Sequence, residues 1–263
     1  MASKTQISWT DATYNPWYGC RRVSAGCKFC YADRDMSRYG MNFRKVTRSK
    51  TTFKDPLKWK EPQRVFTCSW SDFFIEDADE WRQEVWQIIK QTPHLTYQIL
   101  TKRPGRIAQC FPDDWGQGYP NVWIGVSVES DRVLERLVTL SMIPAVVRFA
   151  SFEPLLSQLT NLQPLFSSMV NGKPLHESIH WAIMGGESGN ESGKFKYRDS
   201  ELSWYVDIAS TCKRLGIPVF MKQLGTGLAK KLGASTRVGS DMEDLPIAIR
   251  VRDFPHTDAD SLT

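Results

Sequence analysis

Three cysteines stand close together in the stretch GCRRVSAGCKFCYAD: Cys20, Cys27 and Cys30, spaced Cys-x6-Cys-x2-Cys. Thiolates this near in sequence are what an iron–sulfur cluster or a zinc ion takes as ligands. A structural zinc site and an ordinary electron-transfer cluster both want four ligands, and here there are three. Three thiolates on a 4Fe–4S cluster leave one iron open. The amino and carboxylate groups of S-adenosylmethionine (SAM) suit such an iron. An electron from the reduced cluster then splits the sulfonium and yields a 5′-deoxyadenosyl radical. Spacing alone leaves an alternative, a zinc ion completed by Asp33 or by a distant residue. Cys68, Cys110 and Cys212 have no partner at ligand spacing. Cys68 ends an apolar run and Cys212 falls in a helical stretch, so both read as core thiols.

The elements that must position such a site alternate along the chain. Apolar, β-rich runs recur at Arg64–Cys68, Thr96–Leu100, Val122–Val128, Val146–Phe152, His180–Met184 and Pro218–Met221, with a short strand expected before Cys20. Near-continuous apolar runs suit strands buried on both faces, as in a parallel sheet. Helical patterns lie between them. Asp77–Lys90 places Trp81, Val85, Ile88 and Ile89 on one face, Asp131–Leu140 does the same with Val133, Leu134, Leu137 and Leu140, and Ser200–Leu215 stops at Gly216 and Pro218. Alternation implies right-handed βαβ crossovers and an α/β fold, a partial or full (β/α) barrel. An open doubly wound sheet is the other architecture that fits.

Active sites of parallel α/β folds gather at the C-terminal ends of the strands. Those ends carry Ser69 and Asp72, Thr101–Lys102–Arg103, Ser127 and Glu129, Glu153, Gly185–Gly186–Glu187–Ser188, and Lys222–Gln223. Taken singly, each reads more readily as a solvated loop residue or a helix cap, and it is the six ends together that point to a site. Glu129, Glu153 and Glu187 follow apolar runs and are costly there unless paired or bound to ligand. They are expected to hold the ribose hydroxyls and the ammonium of SAM, with Gly185 and Gly186 allowing close backbone approach. Trp9, Trp17 and Trp70, near the expected barrel mouth, are weaker candidates for stacking on a base. His94, His176, His180 and His256 show no metal-site spacing, and neither a nucleophile elbow nor a P-loop occurs.

Composition bounds the rest. The chain has 263 residues, 41% hydrophobic and 24% charged, with a net charge of +5. That is one barrel domain in length and composition, spanning 1–263. No apolar run reaches the ~18 residues of a membrane span, and the first residues carry no apolar leader. A cytoplasmic protein is the expectation. The segment at about 42–63 (Asn42–Gln63) is basic and interrupted, and is expected to lie as a flap over the barrel mouth. Gly225–Asp244 is expected to be a flexible loop, and the HTDADSLT tail a disordered end.

The chain resembles the phage Gp37/Gp68-like radical SAM family, a domain of unknown function. The likeness runs through ISWTDATYNPWYGC, GCKFCYADR, SDFF, LTKRP, NVWIGVSVE, FASFEPLL, MGGESG, VFMKQLG and LPIAIRVRDFP, which together span nearly the whole chain. The resemblance implies a 4Fe–4S cluster on Cys20, Cys27 and Cys30, with SAM as cofactor. Phe29, just before the last cysteine, would flank the adenine. The place of the Gly-Gly-Glu element that grips the SAM ammonium is held by Ser69-Trp70-Ser71-Asp72, with Ser69 or Asp72 as substitutes. Ser127 and Glu129 match the ribose-binding position.

The family association also suggests a nucleic-acid substrate, a modified base in phage DNA, in the host cytoplasm. A specific expectation is isomerisation of an amino-acid-decorated thymine, begun by hydrogen abstraction from a carbon next to nitrogen. The substrate carboxylate would then meet Lys102, Arg103 or Lys222, and an external electron donor would be required. Radical SAM modification of tRNA or a peptide, and a non-enzymatic zinc-bound nucleic-acid-binding protein, are the competing readings.

Overall fold

The computed structural model describes residues 5–255; the expected disordered tail lies outside them. Seven strands form one sheet: β1 (Ala12–Tyr14), β2 (Gln63–Thr67), β3 (Leu95–Thr101), β4 (Val122–Ser127), β5 (Val147–Phe152), β6 (Trp181–Gly185) and β7 (Val219–Gln223). Their order in the sheet is their order in the chain. Pairing is parallel, with Ala12 beside Val65, Val65 beside Tyr97, Tyr97 beside Val122, Phe149 beside Trp181 and Ala182 beside Val219. A doubly wound sheet reverses its strand order partway. Here there is no reversal, so every crossover joins neighbours, as in a β/α half-barrel. No helix among the described residues is long and apolar enough to cross a membrane.

The chain divides into two compact units, residues 1–126 with 143–146 and residues 127–142 with 147–263. The first holds β1 to β3, nearly all of β4, and helices α1 (Tyr31–Arg38) and α2 (Asp79–Gln91). Acidic Asp79 and Glu80 open α2 and Lys90 falls in its last turn, as the helix dipole favours. The buried face of α2 is Arg82, Val85, Trp86, Ile88 and Ile89. Trp81, expected there, is only half-buried, and Trp86 takes the core position.

Arg82 is buried because its guanidinium satisfies backbone that would otherwise be orphaned. Nε donates to the Phe73 carbonyl at 2.9 Å, a terminal nitrogen to the Ile75 carbonyl at 2.6 Å, and the other to Asp79 at 2.5 Å. It thereby braces the loop that follows β2. Arg82→Leu is expected to cost about 2–4 kcal/mol, because two buried carbonyls lose their donors. A urea midpoint unchanged from wild type would contradict that role.

The basic segment is packed on the first unit. Thr47–Arg48 pairs antiparallel with Trp17–Tyr18. Phe53 and Trp59 are buried, and the Tyr14 hydroxyl donates to the Phe53 carbonyl at 2.5 Å. Arg48 and Lys54 both pair with Glu84 of α2. Two buried rings and two ion pairs hold residues 46–60 against β1 and α2.

The second unit holds β5 to β7 with α3 (Glu135–Ser141), α4 (Leu162–Ser167), α5 (Leu202–Arg214) and α6 (Thr226–Leu232). Helix α5 stops at Gly216, whose φ of +70° suits glycine. The stretch 225–244 is ordered, contrary to expectation. Helix α6 closes on left-handed Gly233, and Asp244 accepts the backbone N–H groups of Ser235 and Thr236 at 2.6 and 3.1 Å. Its glycines and polar side chains cap and turn the chain, which composition alone reads as flexibility.

Candidate functional site

The cysteine loop leaves β1 and enters α1, and its backbone is pinned on both sides of Cys20. Gly19 sits at φ +93°, and a Cβ there would lie 2.4 Å from the Lys45 carbonyl oxygen. Its N–H donates to the Trp70 carbonyl at 3.0 Å, and its carbonyl accepts from the Ser71 hydroxyl at 2.6 Å. The Cys20 N–H donates to the Phe43 carbonyl at 2.7 Å. Cys27 ends a short 3-10 turn, Ala25–Cys27, and Cys30 stands immediately before α1. All three thiols are half-buried and free of disulfides.

Asp72, 5% exposed after β2, organises the surroundings of Cys20. One carboxylate oxygen accepts the Thr101 hydroxyl at 2.7 Å and the Phe74 N–H at 3.0 Å. The other accepts the Lys102 N–H at 3.1 Å and pairs with Arg103 at 3.2 Å. Arg103 in turn donates to Cys20 Sγ at 3.7 Å and to the Arg21 carbonyl at 2.9 Å. Sequence reading placed Asp72 on SAM and Arg103 on substrate; Arg103 is engaged with the cysteine loop, and Asp72 with Arg103. Lys102 differs. It is half-buried, its ammonium makes no hydrogen bond or ion pair among the described residues, and its charge acts on Cys30.

The thiol chemistry follows from this geometry. Burial pushes the Cys20 thiol up to about 12, and the Asp72 carboxylate adds to the rise while Arg103 opposes it. Burial also raises Cys30, against the amide N–H groups of Asp33 and Ala32 at the start of α1 and the charge of Lys102. A metal cluster would displace these protons, and the cations at Arg103 and Lys102 favour the resulting thiolates. The donor set fits a cluster: three thiols on one pinned loop, two cations facing them, and Ser24 Oγ buried in the same loop with no partner. No three Cys, His, Asp or Glu side chains among the described residues converge on a point where one ion could sit.

Protonated thiols also set a pH dependence. Cys212 is buried and likewise pushed up to about 12. In the metal-free chain both thiols keep their protons when folded, while the unfolded chain loses them from about 9.0. The unfolded state then binds fewer protons, so stability is expected to fall as pH rises from ~9 toward ~12. Urea midpoints measured across that range test the sign.

Ser69 is also committed to the loop framework. It exchanges hydrogen bonds with the Asn15 side chain at 2.9 and 3.3 Å, and Asn15 Oδ1 accepts the Trp70 N–H at 2.8 Å. The Tyr31 hydroxyl donates to the Ser69 carbonyl at 2.6 Å. Asn15 and Tyr31 were not singled out from sequence; their only signal there is adjacency to the cysteine motif. Phe29 is half-buried, with the Lys28 ammonium 5.2 Å from its ring centre. Trp9 and Trp17 are 2% and 0% exposed, which removes them as stacking surfaces.

In the second unit, the three glutamates are each paired. Glu129 is fully buried and takes Arg136 at 3.0 Å, which also donates to the carbonyl of buried Ser127 at 2.8 Å. Glu153 takes Lys222 at 2.6 Å and the Gln223 amide at 3.4 Å. Glu187 accepts both the backbone N–H and the side chain of Arg198, at 2.9 and 2.5 Å. The glycines are explained by the chain itself. A Cβ on Gly185 would lie 2.9 Å from the Glu153 carboxyl carbon, and one on Gly186 2.1 Å from the Leu224 carbonyl oxygen. The close approach they permit is therefore to Glu153 and Leu224.

No curated protein matches the chain. Among solved structures, a spore photoproduct lyase variant aligns with a TM-score of 0.51 at 11% identity, covering 82% of this chain and 75% of that one. A second spore photoproduct lyase variant, with bound AdoMet and dinucleoside spore photoproduct, aligns at 0.47 and 11%, covering 81% and 64%. At such identity the first likeness shows the fold alone, an α/β half-barrel of seven parallel strands. The family model described as "Protein of unknown function (DUF5131)" matches residues 4–245, and the chain belongs to that family.

Proposed function

We propose that this protein is a radical SAM enzyme whose 4Fe–4S cluster is held by Cys20, Cys27 and Cys30. The observation that carries this reading is the loop itself. It follows β1, and its thiols face Arg103 and Lys102, which follow β3, with Asp72, after β2, fixing Arg103. Those positions are C-terminal strand ends, where parallel α/β enzymes keep their chemistry. When bound, the cluster would supply the electron that cleaves SAM to a 5′-deoxyadenosyl radical. The chain's own task is to hold Cys20 at a fixed distance and orientation and to balance thiolate charge with two cations. Phe29 beside the last cysteine is the residue we assign to the adenine.

The substrate we propose is nucleic acid, specifically a modified base in DNA, with isomerisation of an amino-acid-decorated thymine as the reaction. A carboxylate on that base would need a cation, and Lys102 is half-buried with no hydrogen bond or ion pair from its ammonium among the described residues. Lys222 is already held by Glu153. An external electron donor is required. The test is anaerobic incubation of the reconstituted chain with SAM, dithionite and DNA bearing the modified base, followed by mass spectrometry. Release of 5′-deoxyadenosine with an altered nucleoside supports the whole reading. 5′-Deoxyadenosine without an altered nucleoside rejects the substrate, and absence of 5′-deoxyadenosine rejects the radical chemistry.

A further inference from the structure

Residues 21–60 carry twelve Lys and Arg against three Asp, a net of +9, in a chain whose total is only +5. The remainder is therefore acidic, and positive charge is concentrated beside the cysteine loop. Part of it is neutralised within the fold, as with Arg48 and Lys54 on Glu84. Arg44 and Lys45 are exposed and enter no ion pair among the described residues. Next to them is an aromatic pair. Tyr39, just past α1, is 72% exposed, and its ring lies 6.0 Å from that of Trp70 at an interplanar angle of 37°. Trp70 packs on the Ala32, Met36 and Phe43 cluster, against which Cys20 and Cys30 also pack. The backbone ties these groups together. Phe43 accepts the Cys20 N–H, Lys45 crowds Gly19, and Gly19 donates to Trp70.

We propose that Tyr39 and Trp70 form a stacking shelf for an unpaired base of single-stranded nucleic acid, and that Arg44 and Lys45 take its phosphates. This rests on the nucleic-acid reading above and deepens it by naming the form in which the strand is received. A large aromatic ring left in water beside unpaired cations matches what a single strand offers, flat bases and regularly spaced anions. A duplex hides its base faces in its own stack. An acidic peptide supplies the charge but no faces, and would leave Tyr39 without a role.

The experiment is fluorescence anisotropy with the full chain and three labelled probes: an oligothymidylate of about 20 nucleotides, a duplex of the same length, and polyglutamate. The single strand is expected to bind at least about tenfold more tightly than either competitor. Tyr39→Ala should weaken it about tenfold and Tyr39→Phe hardly at all. Arg44→Glu combined with Lys45→Glu should lower the slope of log affinity against log salt by about 1.4, the release expected for two single-strand phosphates. Tyr39 is exposed, so its variants keep the fold, which circular dichroism checks. Wild-type binding by Tyr39→Ala, or equal affinity for duplex or polyglutamate, overturns the shelf. Deoxyadenosine release is read separately. Tyr39-dependent strand binding without it leaves the shelf standing and rejects the radical reading, whereas base modification with Tyr39-independent binding rejects the shelf alone.

Discussion

Asp72→Ala is expected to lower stability by about 3–5 kcal/mol and to impair iron loading at the same time. The carboxylate is almost fully buried and accepts from the Thr101 hydroxyl and from the N–H groups of Phe74 and Lys102. It also balances Arg103, whose side chain is 7% exposed. Removing it orphans three donors and takes the nearest counter-charge from a buried guanidinium, and each change is costly. The effect on iron is expected through Arg103, which donates to Cys20 Sγ and pairs with Asp72. Asp72→Asn keeps the shape and loses the charge, and should fall between the two. Urea unfolding and iron content per chain are the measurements. Wild-type iron in a destabilised Asp72→Ala protein would reduce Asp72 to a structural role.

Cys27→Ala should abolish cluster binding and SAM cleavage while changing stability by less than ~1 kcal/mol. Its side chain is half-buried at the end of a 3-10 turn and lies outside the apolar core. Cys212→Ala is the control. That thiol is fully buried in the face of α5, so its loss should destabilise the fold and leave iron unchanged. The opposite pattern, iron kept in Cys27→Ala and lost in Cys212→Ala, would overturn the ligand assignment.

The strands were legible in the sequence because each is an apolar run of the right length, and burial on both faces is what a parallel sheet imposes. All six runs lie within two residues of the observed strands. Helix α2 shows where the pattern stops. The 3.6-residue period found Val85, Ile88 and Ile89, but it could not show that Trp86 would enter the core, nor that Arg82 would be buried to serve the Phe73 and Ile75 carbonyls. Those are tertiary facts. The same holds for the acidic strand ends. Apolar neighbours marked Glu129, Glu153 and Glu187 as needing partners, and the partners are present as Arg136, Lys222 and Arg198. Only folding brings a cation 69 residues away, Lys222, against Glu153. Composition misled at 225–244, where glycine and polar residues build caps and turns around α6.

The cysteine motif was legible as ligand chemistry because three thiols within eleven residues need no fold to lie near one another. Its support was not legible, since Ser71 and Arg103 reach the loop from two other strand ends and Asn15 holds Ser69 and Trp70 beside it.

The most direct measurement is iron and sulfide analysis of the anaerobically reconstituted chain, with electron paramagnetic resonance of the reduced protein before and after adding SAM. Four irons and four sulfides per chain, and a signal that shifts when SAM is added, are the predicted result. A colourless protein carrying one tightly held zinc, or a cluster whose signal ignores SAM, would contradict it.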